Sequence, residues 1–272
     1  MGFKTDGSSH QNGVENEKEI CGFLKEHVKE DPLQLKKMFN LPPESTISFE
    51  HGGGTKSVSD MNIYVDNSRK IGTSLKRHKR GTFDHVNSGA AFRDLLPTKT
   101  VDQLMQIKND MEKQYFQCSP EKKVMCNKRL NEAIDSSFDG VSSDPLIKIM
   151  NYIHQRTPEL VVVNDCKGER LVAFKGERLE ELSVYPNSGC EYFLKKKRNA
   201  KLSRSIFRRT SDGQEIDTNL RLRIVLNNGI SALLGLSPKN KKSVFCIKIQ
   251  QDNVDKLLSS IEPHSSCSYG SN

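Results

Sequence analysis

The sequence predicts a mixed α/β (α+β) chain, and three observations predict it. Apolar residues recur at helical spacing in the N-terminal part of the chain. A hairpin signal interrupts them: Met61-Asn62-Ile63-Tyr64-Val65 and Lys70-Ile71-Gly72-Thr73-Ser74-Leu75-Lys76, joined by Asp-Asn-Ser-Arg turn chemistry. From Glu159 onward, apolar and alternating β-type runs take over. Helices, a core hairpin, more helices and a strand-rich basic half make a mixed pattern. Composition puts a boundary near Pro158. It separates a region 1–158 with N-terminal helices and the hairpin from a strand-rich, basic region 159–272, unless the shift is a change within one domain.

Taken in order, residues 1–13 read as a polar lead-in. Ile20, Phe23, Leu24 and Val28 fall at helical spacing, so a helix is expected over about 14–28, with Glu15, Glu17 and Glu19 in its first turns. Pro32 suits the first turn of a second helix ending near Phe39. The glycines of His51-Gly52-Gly53-Gly54-Thr55 allow close backbone approach. They do not form a P-loop, because Thr55 separates Gly54 from Lys56 and a β pattern follows. Beyond the hairpin, helices are expected from Asn87 or Ser88, over 100–115, near 120–134 and over 145–155. Strands are expected over 160–163, 170–174, 190–194, 220–226 and 244–250. A helix over 252–261 closes the chain, and the polar tail after Pro263 reads as loose.

Of the 272 residues, 42 are Lys or Arg and 34 are Asp or Glu, a net charge of +8. That balance favours an anionic partner such as nucleic acid or a membrane surface. No apolar run reaches the length of a membrane span, and no signal-peptide core is present. Gly2 does not complete a myristoylation pattern, since Asp6 stands where Ser or Thr is needed. The seven cysteines show neither Cys-x-x-Cys nor another recognised zinc spacing. Free thiols in a reducing cytoplasm, in a bacterial or virus-host cell, are expected.

The chemistry concentrates at one end of the hairpin. Asp60 opens the first strand and Lys76 closes the second, so in an antiparallel pair they converge. Metal-assisted phosphodiester hydrolysis needs a carboxylate on a divalent ion and a cation near the attacking water or the phosphorane. Asp60 and Lys76 supply these types.

Asp60, thirteen residues and then Ser74-Leu75-Lys76 resemble the core of the PD-(D/E)XK nucleases, the fold of most type II restriction endonucleases. Ser59-Asp60 stands for Pro-Asp, and Ser74 replaces the second acid of the pattern. The segment GTSLKRHKRGTFDHVNSG also looks like the surroundings of the catalytic lysine in that family. The resemblance implies a restriction-endonuclease-like core, a central mixed sheet flanked by helices. It implies a Mg²⁺-dependent, sequence-specific double-stranded DNA endonuclease, expected as a homodimer. Asp60, Ser74 and Lys76 become the catalytic set. The carboxylate missing at Ser74 is sought at Glu17, Glu50 or Asp84, which with Asp60 form the metal-ligand candidates.

DNA contacts are assigned to Lys56, Arg77, Lys79 and Arg80 around the hairpin, and to Lys196, Arg198, Arg208 and Arg209 in the run KKKRNAKLSRSIFRR. That run reads as a DNA-binding face or as a basic loop. Arg221 and Arg223 alternate with leucines, which puts both on one strand face; paired arginines suit guanine edges, and a charged outer sheet face is the plainer alternative. Two other functions fit the same residues: a structure-selective or repair nuclease, and a non-catalytic DNA-binding protein that has lost an acid at Ser74.

Overall fold

Asn16, Ile20, Leu24 and Val28 repeat every fourth residue, and this stripe turns the N-terminal helix inward. The computed structural model describes residues 8–52, 59–78, 82–114, 120–155, 159–176, 178–179, 190–197, 200, 202–227 and 244–269. These residues contain seven α-helices and eleven strands in a mixed α/β arrangement. Chain packing divides them into two interleaved units. The first comprises Ser9–Phe83, His154–Leu182 and Asp252–Asn272; the second includes Asp84–Ile153 and Ser183–Gln251. The division differs from a single boundary near residue 158. A composition shift marks where strands begin, whereas packing joins segments far apart in sequence.

In the first unit, helix α1 spans Ser8–Glu30 and α2 spans Pro32–Met38. The helix thus starts inside the segment expected as a lead-in, and Gly13 lies within it. One interior glycine costs about 1 kcal/mol, too little to stop a long helix. Asp31 caps α2 by accepting the Gln34 N–H at 2.9 Å, with Pro32 in the first turn. Strands β1 (Ile47–His51), β2 (Met61–Val65) and β3 (Arg69–His78) form an antiparallel meander. Asp66 and Asn67 turn the β2–β3 hairpin at φ of 51° and 55°, a left-handed conformation that Asp and Asn tolerate.

Strand β3 then pairs in parallel with β5 (Leu160–Asp165), which pairs antiparallel with β6 (Arg170–Lys175). A short strand, β11 (Ser266–Ser268), completes a six-stranded mixed sheet in the order β1-β2-β3-β5-β6-β11. All six residues of β5 are buried, as its near-continuous apolar run demands. Leu160 and Val162 join Ile20, Leu24, Leu35 and Phe49 in the core beneath α1 and α2. Val161 and Val163 face a second core with Phe83 and with α7 (Val254–Ser259), through Val254, Leu257 and Leu258. Asn164 donates to Asn16 on α1 at 3.0 Å, which satisfies the buried polar position in the helix stripe.

The second unit holds a five-stranded sheet in the order β4-β10-β9-β8-β7. Its strands are β4 (Phe83–Ser88), β7 (Glu191–Lys195), β8 (Ser203–Arg209), β9 (Glu215–Asn227) and β10 (Val244–Gln251). Helices α3 (Gly89–Leu95), α4 (Thr98–Gln114), α5 (Pro120–Ser137) and α6 (Ser143–Gln155) share its core with Leu220, Leu222, Ile247 and Ile249. Strand β4 was not expected; the expected cap at Asn87 or Ser88 sits at its end, and α3 begins at Gly89. Residues 228–243, between the strands expected over 220–226 and 244–250, lie outside the described residues. Cys21, Cys166, Cys190, Cys246 and Cys267 are free thiols. Among the described residues no helix is long and apolar enough to cross a membrane.

The tail is structured rather than loose. Strand β11 pairs with β6, Cys267 is buried, and Tyr269 packs edge-on against Phe23 with ring centroids 4.8 Å apart. Burial also pushes the Cys267 thiol up to about 11. Deleting residues 264–272 removes two buried side chains, each contributing about 1.5–3 kcal/mol. At about 2–4 °C per kcal/mol for a protein of this size, thermal denaturation should move down by about 5 °C or more. An unchanged midpoint would show that the tail contributes nothing.

Candidate active site

The hairpin strands are unequal, and the site lies where the shorter one stops. Strand β3 pairs with β2 over Arg69–Thr73 and with β5 over Thr73–His78. Asp60, just before β2, donates its N–H to the Thr73 carbonyl at 2.9 Å, the last backbone bond described on that side. Its carboxylate takes over from there. Asp60 Oδ2 accepts the Ser74 hydroxyl at 2.9 Å and the Leu75 N–H at 2.8 Å. Asp60 and Ser74 are therefore joined by a hydrogen bond across the strand end. Among the described residues no donor reaches the other oxygen, Oδ1.

Two glycines make this corner sterically possible. A Cβ on Gly72 would stand 2.4 Å from Ser59 Oγ, and one on Gly52 would stand 2.9 Å from Asn62 Nδ2. The Gly52 N–H also bonds to the Asp60 carbonyl at 3.0 Å, which ties the end of β1 to the acid.

Lys76 lies two residues beyond Ser74, so both side chains leave β3 on the same face. It is half-buried, and among the described residues it forms neither an ion pair nor a hydrogen bond. Glu17 on α1 brings a second carboxylate. Burial raises its carboxyl above the ordinary range, and the negative charge of Asp60 raises it further. His51 and Lys76 offset part of that shift. Glu17 thus lies within electrostatic reach of both Asp60 and Lys76.

His51, at the end of β1, is the residue that sequence reasoning missed. Its Nε2 lies 3.6 Å from Glu17 Oε2, is shielded from solvent, and has no hydrogen-bond partner at normal distance. A single histidine ahead of three glycines, with no paired ligand spacing, gave no signal. Only the packing of β1 against α1 shows it.

Glu50 and Asp84 have other partners. Glu50 accepts the Tyr64 hydroxyl at 2.8 Å on the exposed part of β1 and β2. Asp84 belongs to the second unit, where it accepts from Lys248 at 3.0 Å and Gln250 at 2.7 Å. Arg77 is exposed on β3. Lys56, Lys79, Arg80 and Arg198 lie outside the described residues.

Much of the basic run is neutralised locally. Lys196 bonds Asp135 at 2.6 Å, Lys195 pairs with Glu215, and Lys197 lies 3.1 Å from Asp217. Arg209 pairs with Glu191 at 2.7 Å and Glu215 at 3.1 Å, while Arg208 points a nitrogen at Cys190 Sγ, 3.8 Å away. Arg221 and Arg223 leave β9 opposite buried Leu220 and Leu222, as the alternation predicts.

No family model matches the sequence, and neither a curated protein nor a solved structure is detectably similar to it.

The residue types at this corner are those a hard cation takes as ligands. Among the described residues no group of three or more His, Cys, Asp or Glu side chains gathers around one point. Asp60 and Glu17 instead give two carboxylates, which suits an ion that keeps several waters and takes its remaining ligands from a phosphate. Mg²⁺ behaves in that way.

Two variants test this picture of the corner. Because the folded Glu17 carboxyl is raised, its contribution to stability is full below the ordinary value of 4.5 and is lost as pH rises through the folded value. Glu17→Gln cannot ionise. In EDTA it should therefore melt above the parent at pH 7, and the gap should close below about pH 4.5. A lower midpoint at pH 7 contradicts the assignment. Gly72→Ala is a steric test: it should force the Ser59 hydroxyl, 2.4 Å from the added Cβ, to turn away, costing up to about 1 kcal/mol in a denaturant titration; a larger loss would show that Ser59 cannot turn and the backbone beside Asp60 must move.

Proposed function

We propose that this protein is a Mg²⁺-dependent endonuclease that hydrolyses phosphodiester bonds of double-stranded DNA at a specific sequence, built on a restriction-endonuclease-like core. The observation that carries the reading is the corner itself. Asp60 and Ser74 are hydrogen-bonded where β2 ends, Lys76 stands two residues on, and Glu17 approaches from α1. The order of elements supports it. A helix precedes a three-stranded meander, and the third strand pairs in parallel with a later, buried strand.

In this reading Asp60 Oδ1 and Glu17 hold the ion. When bound there, Mg²⁺ would neutralise charge on the phosphate and lower the pKa of a coordinated water. Ser74 adds no charge; its hydroxyl fixes the Asp60 carboxylate from one side while the Leu75 N–H fixes it from the backbone. Lys76 is left to serve the substrate. Its ammonium group orients the attacking water and offsets charge that develops on the phosphate oxygens. His51 positions Glu17. One corner cuts one strand, so cleavage of both strands is assigned to a homodimer.

Digestion of a plasmid of known sequence, with end mapping, tests the proposal. Mg²⁺ should give discrete fragments with fixed ends, and EDTA should abolish them. Asp60→Ala and Lys76→Ala should each reduce the rate by about a hundredfold or more. A smear, or cutting confined to junctions, would favour a repair or structure-selective nuclease. Binding without cleavage would favour a non-catalytic DNA-binding protein. If both variants cut as the parent does, the corner is not the active site.

A further inference from the structure

The outer face of the second unit's sheet carries polar groups that the proposed chemistry does not use. Arg221 and Arg223 alternate with Leu220, Leu222 and Ile224, whose exposures are 0, 0 and 2 %. Strand β10 lies alongside in a register that sets Gln250 opposite Arg221 and Lys248 opposite Arg223. Ile247 and Ile249, between those polar positions, are fully buried, so Lys248 and Gln250 share the outer face. Strand β4, next to β10, adds Asp84. Arg223 donates to Gln250 Oε1 at 3.5 Å, Gln250 Nε2 donates to Asp84 Oδ1 at 2.7 Å, and Lys248 donates to Asp84 Oδ2 at 3.0 Å.

We propose that Asp84, Gln250, Arg221 and Arg223 form the specificity-determining face of the protein, which reads base edges of duplex DNA. This deepens the DNA reading above and rests on it. The residue types are those that discriminate bases in the major groove: guanidinium for guanine, carboxamide for adenine, carboxylate for the cytosine amine. The network fixes the directions of Asp84, Gln250 and Arg223 before DNA arrives, which lowers the ordering cost of binding. Arg221, Arg223 and Lys248 outnumber Asp84, so the face attracts a polyanion. A base-stacking platform for single strands fits less well. Phe193 and Phe207 on this sheet already have Lys195 over both rings and Arg209 over Phe193, at 4.8–5.4 Å.

The test uses the full chain in EDTA and duplexes with a randomised centre. Retained duplexes are sequenced, and cleavage ends in Mg²⁺ are mapped in parallel. The parent should enrich one short motif. Arg223→Ala and Gln250→Ala should each lose about tenfold discrimination at one base position of that motif, while a fixed non-specific duplex binds with little change. Arg223→Lys keeps the charge but not the planar fork, and should lose the same preference. Melting midpoints within a few degrees of the parent show that the variants are folded. Three results overturn the inference: unchanged motifs in all three variants, equal weakening on every duplex with preferences kept, or no motif enriched by the parent. The two proposals fail separately. DNA cutting at unchanged sites in the variants leaves the nuclease standing and removes the reading face. A motif lost by the variants without cutting by the parent does the reverse.

Discussion

A carboxylate finishes a hydrogen-bond ladder that its own strand cannot. Strand β2 has five residues and β3 has ten, so β3 runs on after its antiparallel neighbour begins at Met61. A strand overhang leaves backbone donors facing outward, and a buried donor without a partner is costly. Asp60 resolves this with its side chain, which takes the Leu75 N–H at 2.8 Å. The same bond sets the direction of the carboxylate. Thr73, fully buried, is the residue at which β3 changes partner from β2 to β5. The corner therefore follows from unequal strand lengths before any catalytic residue is considered.

The electrostatics of the corner oppose the fold's own stability. Glu17 is partly buried and feels the negative charge of Asp60, with His51 and Lys76 offsetting only part of the strain. Lys76 leaves β3 without an ion pair among the described residues. A surface under selection for stability alone would pair that lysine or replace Glu17 by a neutral residue. Local conflicts of this kind gather at functional sites and are compensated elsewhere. Here the compensation is the buried β5, whose two faces join separate apolar cores. The network of Asp165 with Arg170 and His78 at its end adds to it. Asp165 is lowered despite burial, because Arg170, the Gly168 N–H and His78 all favour its charged form.

What the sequence disclosed was local. The helices α1, α2, α4, α5 and α6 and the β2–β3 hairpin follow from periodicity and turn residues near one another in the chain. The alternation around Arg221 and Arg223 placed them on the outer face for the same reason. What it hid depends on partners far away. Strand β11 is Ser-Cys-Ser, which has no strand pattern of its own; it is extended because β6 offers an edge. The basic run shows its charge locally, but the acids that neutralise it include Asp135, Glu215 and Asp217, on other elements. Asp84 illustrates the same limit. Near the hairpin in sequence, it reads as a spare metal ligand, yet Lys248 and Gln250 claim it from beyond residue 240. Glu17, more distant in sequence from Asp60, is the carboxylate that approaches it.

Ser74 then ceases to be only a defect in a pattern. An acid at that position would add a third carboxylate to Asp60 and Glu17, with Lys76 as a nearby cation. Without a divalent ion, neighbouring like charges repel and raise one another's protonation. The serine hydroxyl instead donates to Asp60 Oδ2 and brings no charge of its own. Asp60 is thus oriented by two neutral donors, the Ser74 hydroxyl and the Leu75 N–H. A two-carboxylate corner leaves more of the ion's coordination to water and phosphate than a three-carboxylate one. In the proposed reading, ion and substrate therefore strengthen each other's binding, and the ion is held firmly only when the phosphate is in place.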